Sequence, residues 1–293
     1  MPRILLIPNP GKSLAMAALP AFRAWLAQRG ATVLAEMDSA EVLRSARQLP
    51  AADFALVLGG DGTLLSVARA FVEAEVATPI LGVNFGKLGF LAEFSLEEVR
   101  EHWEFLARGD FKIRRRLLLD VTVYPPEADG EAAPVARLRG MNDAVINAGA
   151  PFRMVDIQLF LDSDEANHDA AATFSGDGVV VATPAGSTAY NLSAGGPILA
   201  PGAEVLCVTP LNPHSLAFRP IVVPSTTDIR LRLLRANAGS SLVVDGQTSI
   251  PLSDGQCVHI TRSRRSVQLV QNPARSYWTT LSHKLHWAAR PQG

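Results

Sequence analysis

With two cysteines in 293 residues, this chain has no disulfide framework to stiffen it. Cys207 and Cys257 lie far apart and in no metal spacing, so they read as small buried hydrophobes of an intracellular protein, a single bridge between them staying open. Charge is also scarce. Asp, Glu, Lys and Arg make up 19% of residues, the net charge is -1, and no long basic run occurs, so a nucleic-acid partner has little support. No apolar stretch approaches the roughly 18 residues of a membrane helix, and Ile4 to Ile7 is too short for a signal peptide. The expectation is a cytoplasmic protein with no membrane partner. The six histidines form no metal set. His283 and His286 stand at i, i+3 without a third ligand and read as a solvated face, so no protein-bound metal is predicted. No G-x-S-x-G elbow is present, which makes Ser187 a poor nucleophile. There is no internal repeat and no low-complexity segment.

What is present is apolar. Hydrophobic residues make up 48% of the chain, enough for a sizeable core, and the length favours two domains. Short apolar runs alternate with helical patterns over the first part. Ile4 to Ile7, Thr32 to Ala35, Phe54 to Leu58 and Ile80 to Val83 read as strands. A helix carries Phe22, Trp25 and Leu26 and ends near Gly30, its start made uncertain by Pro20. Another covers Glu41 to Gln48. Ser95-Leu96-Glu97-Glu98 is a capping box before a helix with Leu96, Val99, Trp103 and Leu106 on one face. This alternation predicts a Rossmann-like parallel α/β domain.

From Arg115 the pattern changes to many short strands: Leu117 to Tyr124, Leu138 to Asn147, Met154 to Leu161, Val179 to Ala182, Ile221 to Val223, Ile229 to Leu234, Leu242 to Val244, Val258 to Thr261 and Val267 to Val270. They predict a β-rich, sandwich-like second domain. Tyr277 to Trp287 returns to helical spacing and is expected to pack back on the first domain. The expected domains are 1–113 with 274–293, and 114–273.

The chain is organised around Leu58-Gly59-Gly60-Asp61-Gly62-Thr63. A buried strand leads into a glycine turn and then a helix start, through Leu64, Val67, Ala68 and Phe71. Glycines let the backbone approach a ligand, and a helix N-terminus is a seat for phosphate, here Gly59, Gly60 and Thr63. Asp61 stands in that anion-seeking loop, where a carboxylate is costly unless it holds a metal or takes a proton. Gly-Asp-Gly is equally a tight-turn sequence, with the Asp bonding its own backbone. A P-loop is excluded, because Gly11-Lys12-Ser13 lacks its first glycine at Leu6, and a G-x-G-x-x-G turn is excluded by Leu65.

Two later stretches are dense in small and polar groups. Thr183 to Pro197 offers Ser187, Thr188, Asn191, Ser193 and the Tyr190 ring, which can surround a base and ribose or form a loop with a short helix. Asn142-Asp143 can grip ribose hydroxyls from donor and acceptor sides, and is also ordinary turn chemistry. Asp177 and Asp245, each beside a glycine, read singly as turns.

Together these segments, with Gly82 to Leu91, resemble the NAD kinase (ATP/polyphosphate-NAD kinase) family, and they occur in the family's order from Gly59 to Gln247. The glycine turn alone is shared with diacylglycerol and sphingosine kinases; Thr-Pro-Ala-Gly-Ser-Thr-Ala-Tyr is far more specific. The resemblance implies two domains with the site in the cleft between them. It implies transfer of a phosphoryl group from Mg²⁺-ATP, or polyphosphate, to the 2′-hydroxyl of the adenosine ribose of NAD, giving NADP. Asp61 resembles the proton acceptor, acting late because a carboxylate is a weak base. Substrate binding is implied for Gly62, Asn142, Asp143, Arg153, Asp177, Thr188, Ala189, Tyr190, Asn191, Leu192, Ser193 and Gln247. Residue 143 is Asp where Glu is frequent, and Ser175 stands where many relatives carry a basic residue. A homodimer or homotetramer is implied. The rivals are a lipid or sugar kinase with the same glycine turn, and a dinucleotide sensor without turnover.

Overall fold

The computed structural model describes residues 1–86, 89–126, 133–150, 153–162, 169–215 and 217–285. Lys87 and Leu88 of the second glycine motif, and His286 and Trp287 of the predicted terminal helix, lie outside the described residues. The chain divides into two compact units, Met1–Arg116 with Ser266–Gly293, and Leu117–Arg265.

The first unit opens with β1 (Arg3–Pro8), α1 (Ser13–Gln28), β2 (Thr32–Glu36), α2 (Ser39–Ser45), β3 (Phe54–Leu58), α3 (Asp61–Glu73), β4 (Ile80–Val83), α4 (Leu96–Glu101) and α5 (Trp103–Ala107). The strands lie parallel in the order β2-β1-β3-β4. β3 and β4 are buried at every residue, as continuous apolar runs covered on both faces must be. One face packs Ile4, Leu6, Leu56, Leu58 and Leu81 against Phe22 and Leu26 of α1 and Trp103 and Leu106 of α5. Each such side chain contributes about 1.5–3 kcal/mol on burial. α3 lies against the other face, where a Cβ on Gly82 would come within 2.5 Å of Leu64 Cδ1.

Pro20 lies inside α1, not at its start. The ring deprives the Met16 carbonyl of its helical donor, but Pro20 and Met16 are both on the exposed side, where water replaces the bond. The buried residues Ala15, Leu19, Phe22 and Leu26 hold the helix through the break. The helix expected from Leu96 to Leu106 divides at His102. Its capping box is intact: Ser95 Oγ accepts from the Glu98 N–H (3.2 Å), and Glu98 Oε2 accepts from the Ser95 N–H (2.7 Å).

The second unit is built from β5 (Ile113–Tyr124), which enters it from the first, then β6 (Ala136–Gly140), β7 (Asp143–Asn147), β8 (Val155–Leu161), β9 (Ala172–Gly176), β10 (Gly178–Ala182), the one-turn α6 (Tyr190–Ser193), β11 (Val205–Leu211), β12 (Ile221–Pro224), β13 (Ile229–Arg235), β14 (Ser241–Val244), β15 (Thr248–Pro251) and β16 (Cys257–Val270). One antiparallel sheet runs β12-β11-β10-β7-β14-β15. The other runs β16-β13-β8-β9, with β5 beside β16 and β6 beside β5. Val121, Ile146, Ile157, Val181, Leu231 and Val258 are among the residues of one core drawn from both sheets, so this unit is a sandwich. The last residues of β16 return to the first unit, where Leu269 pairs in parallel with Ile80 of β4. α7 (Tyr277–Leu285) follows and buries Thr280 and Leu281.

Three readings of the second unit change. The strand expected from Leu138 to Asn147 breaks at Met141-Asn142 into β6 and β7, which belong to different sheets. The two strands expected at Val258 and Val267 are one 14-residue strand, because the polar run between them includes the buried Ser263. β9, β11 and β15 were not expected; β11 contains Pro210, a residue that argues against an inner strand.

Candidate functional site

One cluster of candidate residues lies in the first unit, where β3 gives way to α3. The Gly59 N–H donates to Val83 O (2.9 Å), and the first helical bond runs from the Leu64 N–H to Gly60 O (3.1 Å). The three glycines have different reasons to be there. A Cβ on Gly59 would lie 2.5 Å from Thr63 Oγ1, so this glycine serves packing. A Cβ on Gly60 or Gly62 would meet nothing within 4 Å, so these two border open space. Thr63 is buried, and its hydroxyl accepts from Asn9 Nδ2 (2.6 Å). Its side chain therefore ties α3 to the loop after β1.

Asp61 is the first residue of α3. Its Oδ2 accepts from the Phe90 N–H (2.8 Å), and its Oδ1 accepts from the N–H groups of Leu91 (3.1 Å) and Ala92 (2.9 Å). Three backbone donors thus fix the carboxylate, which the turn-only reading of Gly-Asp-Gly does not provide for. Asp61 borders a cavity of about 290 Å³ with Gly59, Gly60, Asn84, Lys12 and Lys284. Lys284 Nζ lies 3.9 Å from Asp61 Oδ2. A glycine turn, one carboxylate and two ammonium groups around a cavity suit a polyanion whose terminal group is to be moved.

A separate cluster of candidate residues lies in the second unit, at the switch between its sheets. The Asp245 carboxylate accepts from the N–H groups of Met141 (2.9 Å), Asn142 (2.7 Å) and Asp143 (3.2 Å). The Asp245 N–H returns a bond to Asp143 O (3.0 Å). Asp245 and Gly246, at φ of 53° and 65°, form the two centre residues of a hairpin turn of type I′. The turn is therefore also a clamp. On the other side, Thr183 Oγ1 donates to Met141 O (2.6 Å), and the Thr183 N–H donates to Asn142 O (2.9 Å).

This clamp shapes the chemistry of Asn142-Asp143. Burial, with the nearby Asp245 charge, pushes the Asp143 carboxyl up to about 7. Asn142 Oδ1 is buried with no hydrogen-bond donor among the described residues. A buried acceptor of this kind calls for a partner, and a ligand hydroxyl supplies one.

Thr183 to Leu199 covers the outer face of β10, where Val180 and Ala182 form a small cluster with Val145 and Ala194. Not every polar group in it faces outward. Asn191 is fully buried: its Oδ1 accepts from Thr209 Oγ1 (2.7 Å) and its Nδ2 donates to Pro197 O (3.1 Å). The Ser187 hydroxyl is likewise spent on Pro184 O (2.8 Å) and the Leu199 N–H (3.0 Å). Asn191 thus braces the segment with its side chain, and its carbonyl accepts from the Gly196 N–H (2.8 Å). Tyr190 and Ser193 are exposed, with Thr188, Ala189 and Leu192 half-buried.

Gln247 is exposed beside the clamp, its N–H bonded to Val244 O (3.0 Å). Asp177 and Arg153 are elsewhere. Asp177 sits at the opposite end of β10 from Thr183, a strand length of about 17 Å at 3.3 Å per residue. Its Oδ2 accepts from Asn212 Nδ2 (2.8 Å). Arg153 is exposed and holds Asn237 Nδ2 on its carbonyl (2.7 Å). One copy of the unit does not bring these two beside Asn142.

Sequence reasoning missed Asn9, Lys12, Phe90 and Lys284. Lys12 carried a signal, as part of the broken P-loop ending. Phe90 lies within the Gly82 to Leu91 segment but takes no role from it, Asn9 reads only as part of a strand stop, and Lys284, beside His283 on a terminal helix, reads as part of a solvated face.

The chain is similar in sequence and in fold to known proteins. Residues 4–111 match the ATP-NAD kinase N-terminal domain, and residues 141–272 match the ATP-NAD kinase C-terminal domain. The NAD kinase of Syntrophotalea carbinolica is 39% identical over 91% of this chain and 92% of its own. That of Acidobacterium capsulatum is 38% identical over 99% of this chain and 100% of its own. Two crystal structures share the fold at low identity. Yeast NADH kinase complexed with NADH is 21% identical, with a TM-score of 0.82 over 99% of this chain and 89% of its own. An NAD kinase from Archaeoglobus fulgidus in complex with ATP is 22% identical, with a TM-score of 0.74 over 97% and 98%. The class is that of phosphotransferases acting on an alcohol group. The chain belongs to the ATP-NAD kinase family.

Proposed function

We propose that this protein transfers the terminal phosphoryl group of Mg²⁺-ATP to the 2′-hydroxyl of the adenosine ribose of NAD, giving NADP, with Asp61 as proton acceptor. The observation that carries this reading is the Asp61 carboxylate, fixed by the N–H groups of residues 90–92 at the edge of the glycine-turn cavity. The backbone of Gly60 and Thr63 receives the donor phosphates and Gly62 lines the acceptor pocket, while the Gly59 N–H, expected at the phosphates, is already bonded to Val83 O (2.9 Å). Asn142 and Asp143 receive ribose hydroxyls, the buried Asn142 Oδ1 as acceptor. The segment Thr188 to Ser193 frames the base, and Gln247 adds a polar contact.

Among the described residues, no group of three His, Cys, Asp or Glu could hold a metal ion. In this reading Mg²⁺ would arrive as part of the donor substrate, with Asp61 as the carboxylate beside its phosphates. Bound there, the ion offsets the charge of the donor oxygens.

A homodimer or homotetramer is part of the reading. The separation of Asp177 and Arg153 from Asn142 within one copy supports it, since a second copy can supply them. So does edge strand β12, with Ile221 and Val222 exposed; light scattering on the purified protein reads the mass directly. A cytoplasmic site fits two free thiols, one buried and one half-buried. Among the described residues no helix is long and apolar enough to cross a membrane.

The test is an NADP-forming assay with NAD and Mg²⁺-ATP, polyphosphate as a second donor, and Asp61→Asn alongside. The variant is expected to lose about 10²–10⁴-fold in kcat while keeping its fold. Near-wild-type turnover would remove Asp61 from the mechanism. NAD binding with no NADP from the wild type would favour the sensor. No NAD binding, with phosphorylation of a lipid or sugar hydroxyl, would favour the other kinases with this turn.

A further inference from the structure

The cavity beside Asp61 contains a cation that neither the glycine turn nor the nucleotide-framing segments account for. Lys284 comes from α7, more than two hundred residues after Asp61 in sequence, yet its Nζ lies 3.9 Å from Asp61 Oδ2. The ammonium also sits 4.6 Å from the centre of the Phe90 ring. Phe90 therefore holds both partners. Its N–H is bonded to Asp61 Oδ2, and its ring lies under Lys284.

The helix carrying Lys284 is anchored. Thr280 and Leu281 are buried, and the segment leading into α7 is pinned by Arg275 Nε on Glu98 Oε1 (2.8 Å) and by Asn272 Nδ2 on Glu93 O (3.0 Å). The ammonium is thus placed by structure rather than by its own charge. A separation of 3.9 Å exceeds a hydrogen bond, and Lys284 donates none to any described residue. Both side chains are about three-tenths exposed, 30% and 29%, and both line the cavity. An open pair of this kind contributes little to stability. Beside a group that gains charge in a water-poor cavity, the same ammonium contributes far more.

We propose that Lys284 is a catalytic residue that contacts the transferring phosphoryl group. The inference rests on the kinase reading of the site. In the step, the acceptor oxygen bonds to the terminal phosphorus of the donor, and the bond from that phosphorus to the bridging oxygen breaks. The electron pair stays on the leaving nucleoside diphosphate, and the acceptor proton goes to Asp61. Lys284 keeps its proton throughout. Its place is at the non-bridging oxygens of the moving group, within reach of the base that takes the proton. Lys12 lines the same cavity from the start of α1 but makes no ion pair with Asp61 among the described residues, and so suits a more distant phosphate.

The experiment compares Lys284→Met and Lys284→Arg in the full chain, measuring kcat, the KM values for NAD and Mg²⁺-ATP, and Tm. Lys284→Met is expected to lower kcat about 10²-fold, with Tm and the NAD KM close to wild type. Lys284→Arg is expected to recover a large part of kcat, because it returns a cation. Three results would overturn the proposal: a kcat for Lys284→Met within a few-fold of wild type, an activity loss that merely follows a fall in Tm, or no recovery with Arg. Absence of NADP from the wild type would instead sink the kinase reading itself, so the two failures stay separate.

Discussion

Gly89 leaves the space that the Asp61 carboxylate occupies. A Cβ at position 89 would overlap Asp61 Oδ1 and lie 2.6 Å from its Cγ. The carboxylate is thus seated by an absence on one side and by three N–H donors on the other. Gly89→Ala is expected to push Asp61 off those donors. A misplacement of about 1 Å can cost about 10²-fold in rate, so kcat should fall by that order while the NAD KM holds. Unchanged steady-state kinetics would show that the loop yields without moving the carboxylate.

Gly60 tests the opposite case. A Cβ there meets nothing within 4 Å, and its φ of -110° suits any residue. Gly60→Ala should melt at the wild-type temperature, yet raise the KM for Mg²⁺-ATP, because the methyl group takes space meant for a phosphate. An unchanged donor KM would place the phosphates elsewhere in the cavity.

Asp143 makes stability depend on pH with an unusual sign. Its carboxyl is raised from 3.8 to about 7 in the folded protein. Between those values the native state holds a proton that the unfolded state has lost. Stability from this group is therefore full below about pH 4 and declines as pH rises towards 7, by up to about 1.4 kcal/mol per unit. Asp143→Asn removes the dependence. The variant should gain Tm relative to wild type between pH 5 and pH 8, measured by calorimetry; a difference that stays flat with pH would refute the assignment.

Asp245→Asn keeps a residue that tolerates the left-handed φ of 53° but takes away one of the two acceptors. A backbone donor at Met141–Asp143 is then left unpaired, at a cost of about 1–3 kcal/mol. Tm should drop, and NAD affinity, read by titration calorimetry, should drop with it because Asn142 is no longer fixed. Loss of stability with full NAD affinity would mean that the clamp supports the fold alone.

Much of this is legible in the sequence itself. Phe54 to Leu58 and Ile80 to Val83 are continuous apolar runs, and a run of that kind has few ways to fold. The capping box at Ser95 is a local rule and holds locally. What local patterns could not carry was long-range pairing. Met141-Asn142 sits in the middle of a good strand pattern, and only Asp245, more than a hundred positions later, explains why the strand breaks there. Asn191 illustrates the same limit at the site. Its type suits a ribose, but burial decides which way the amide turns, and Thr209 is what it meets. Lys284 reads as a surface lysine until α7 is set beside the glycine turn.

The Asp245 clamp also orders events during synthesis. A nascent chain that has reached Val244 already contains Asn142 and Asp143, but the carboxylate that takes their N–H groups has yet to be added. The contact closes over 102 to 104 residues, a loop whose entropy must be met before the bond forms. The ribose contacts proposed for Asn142 and Asp143 would therefore be among the last features of the second unit to mature. A dinucleotide bound there would act on a completed unit rather than on its precursors, and its mass action would draw late folding forward.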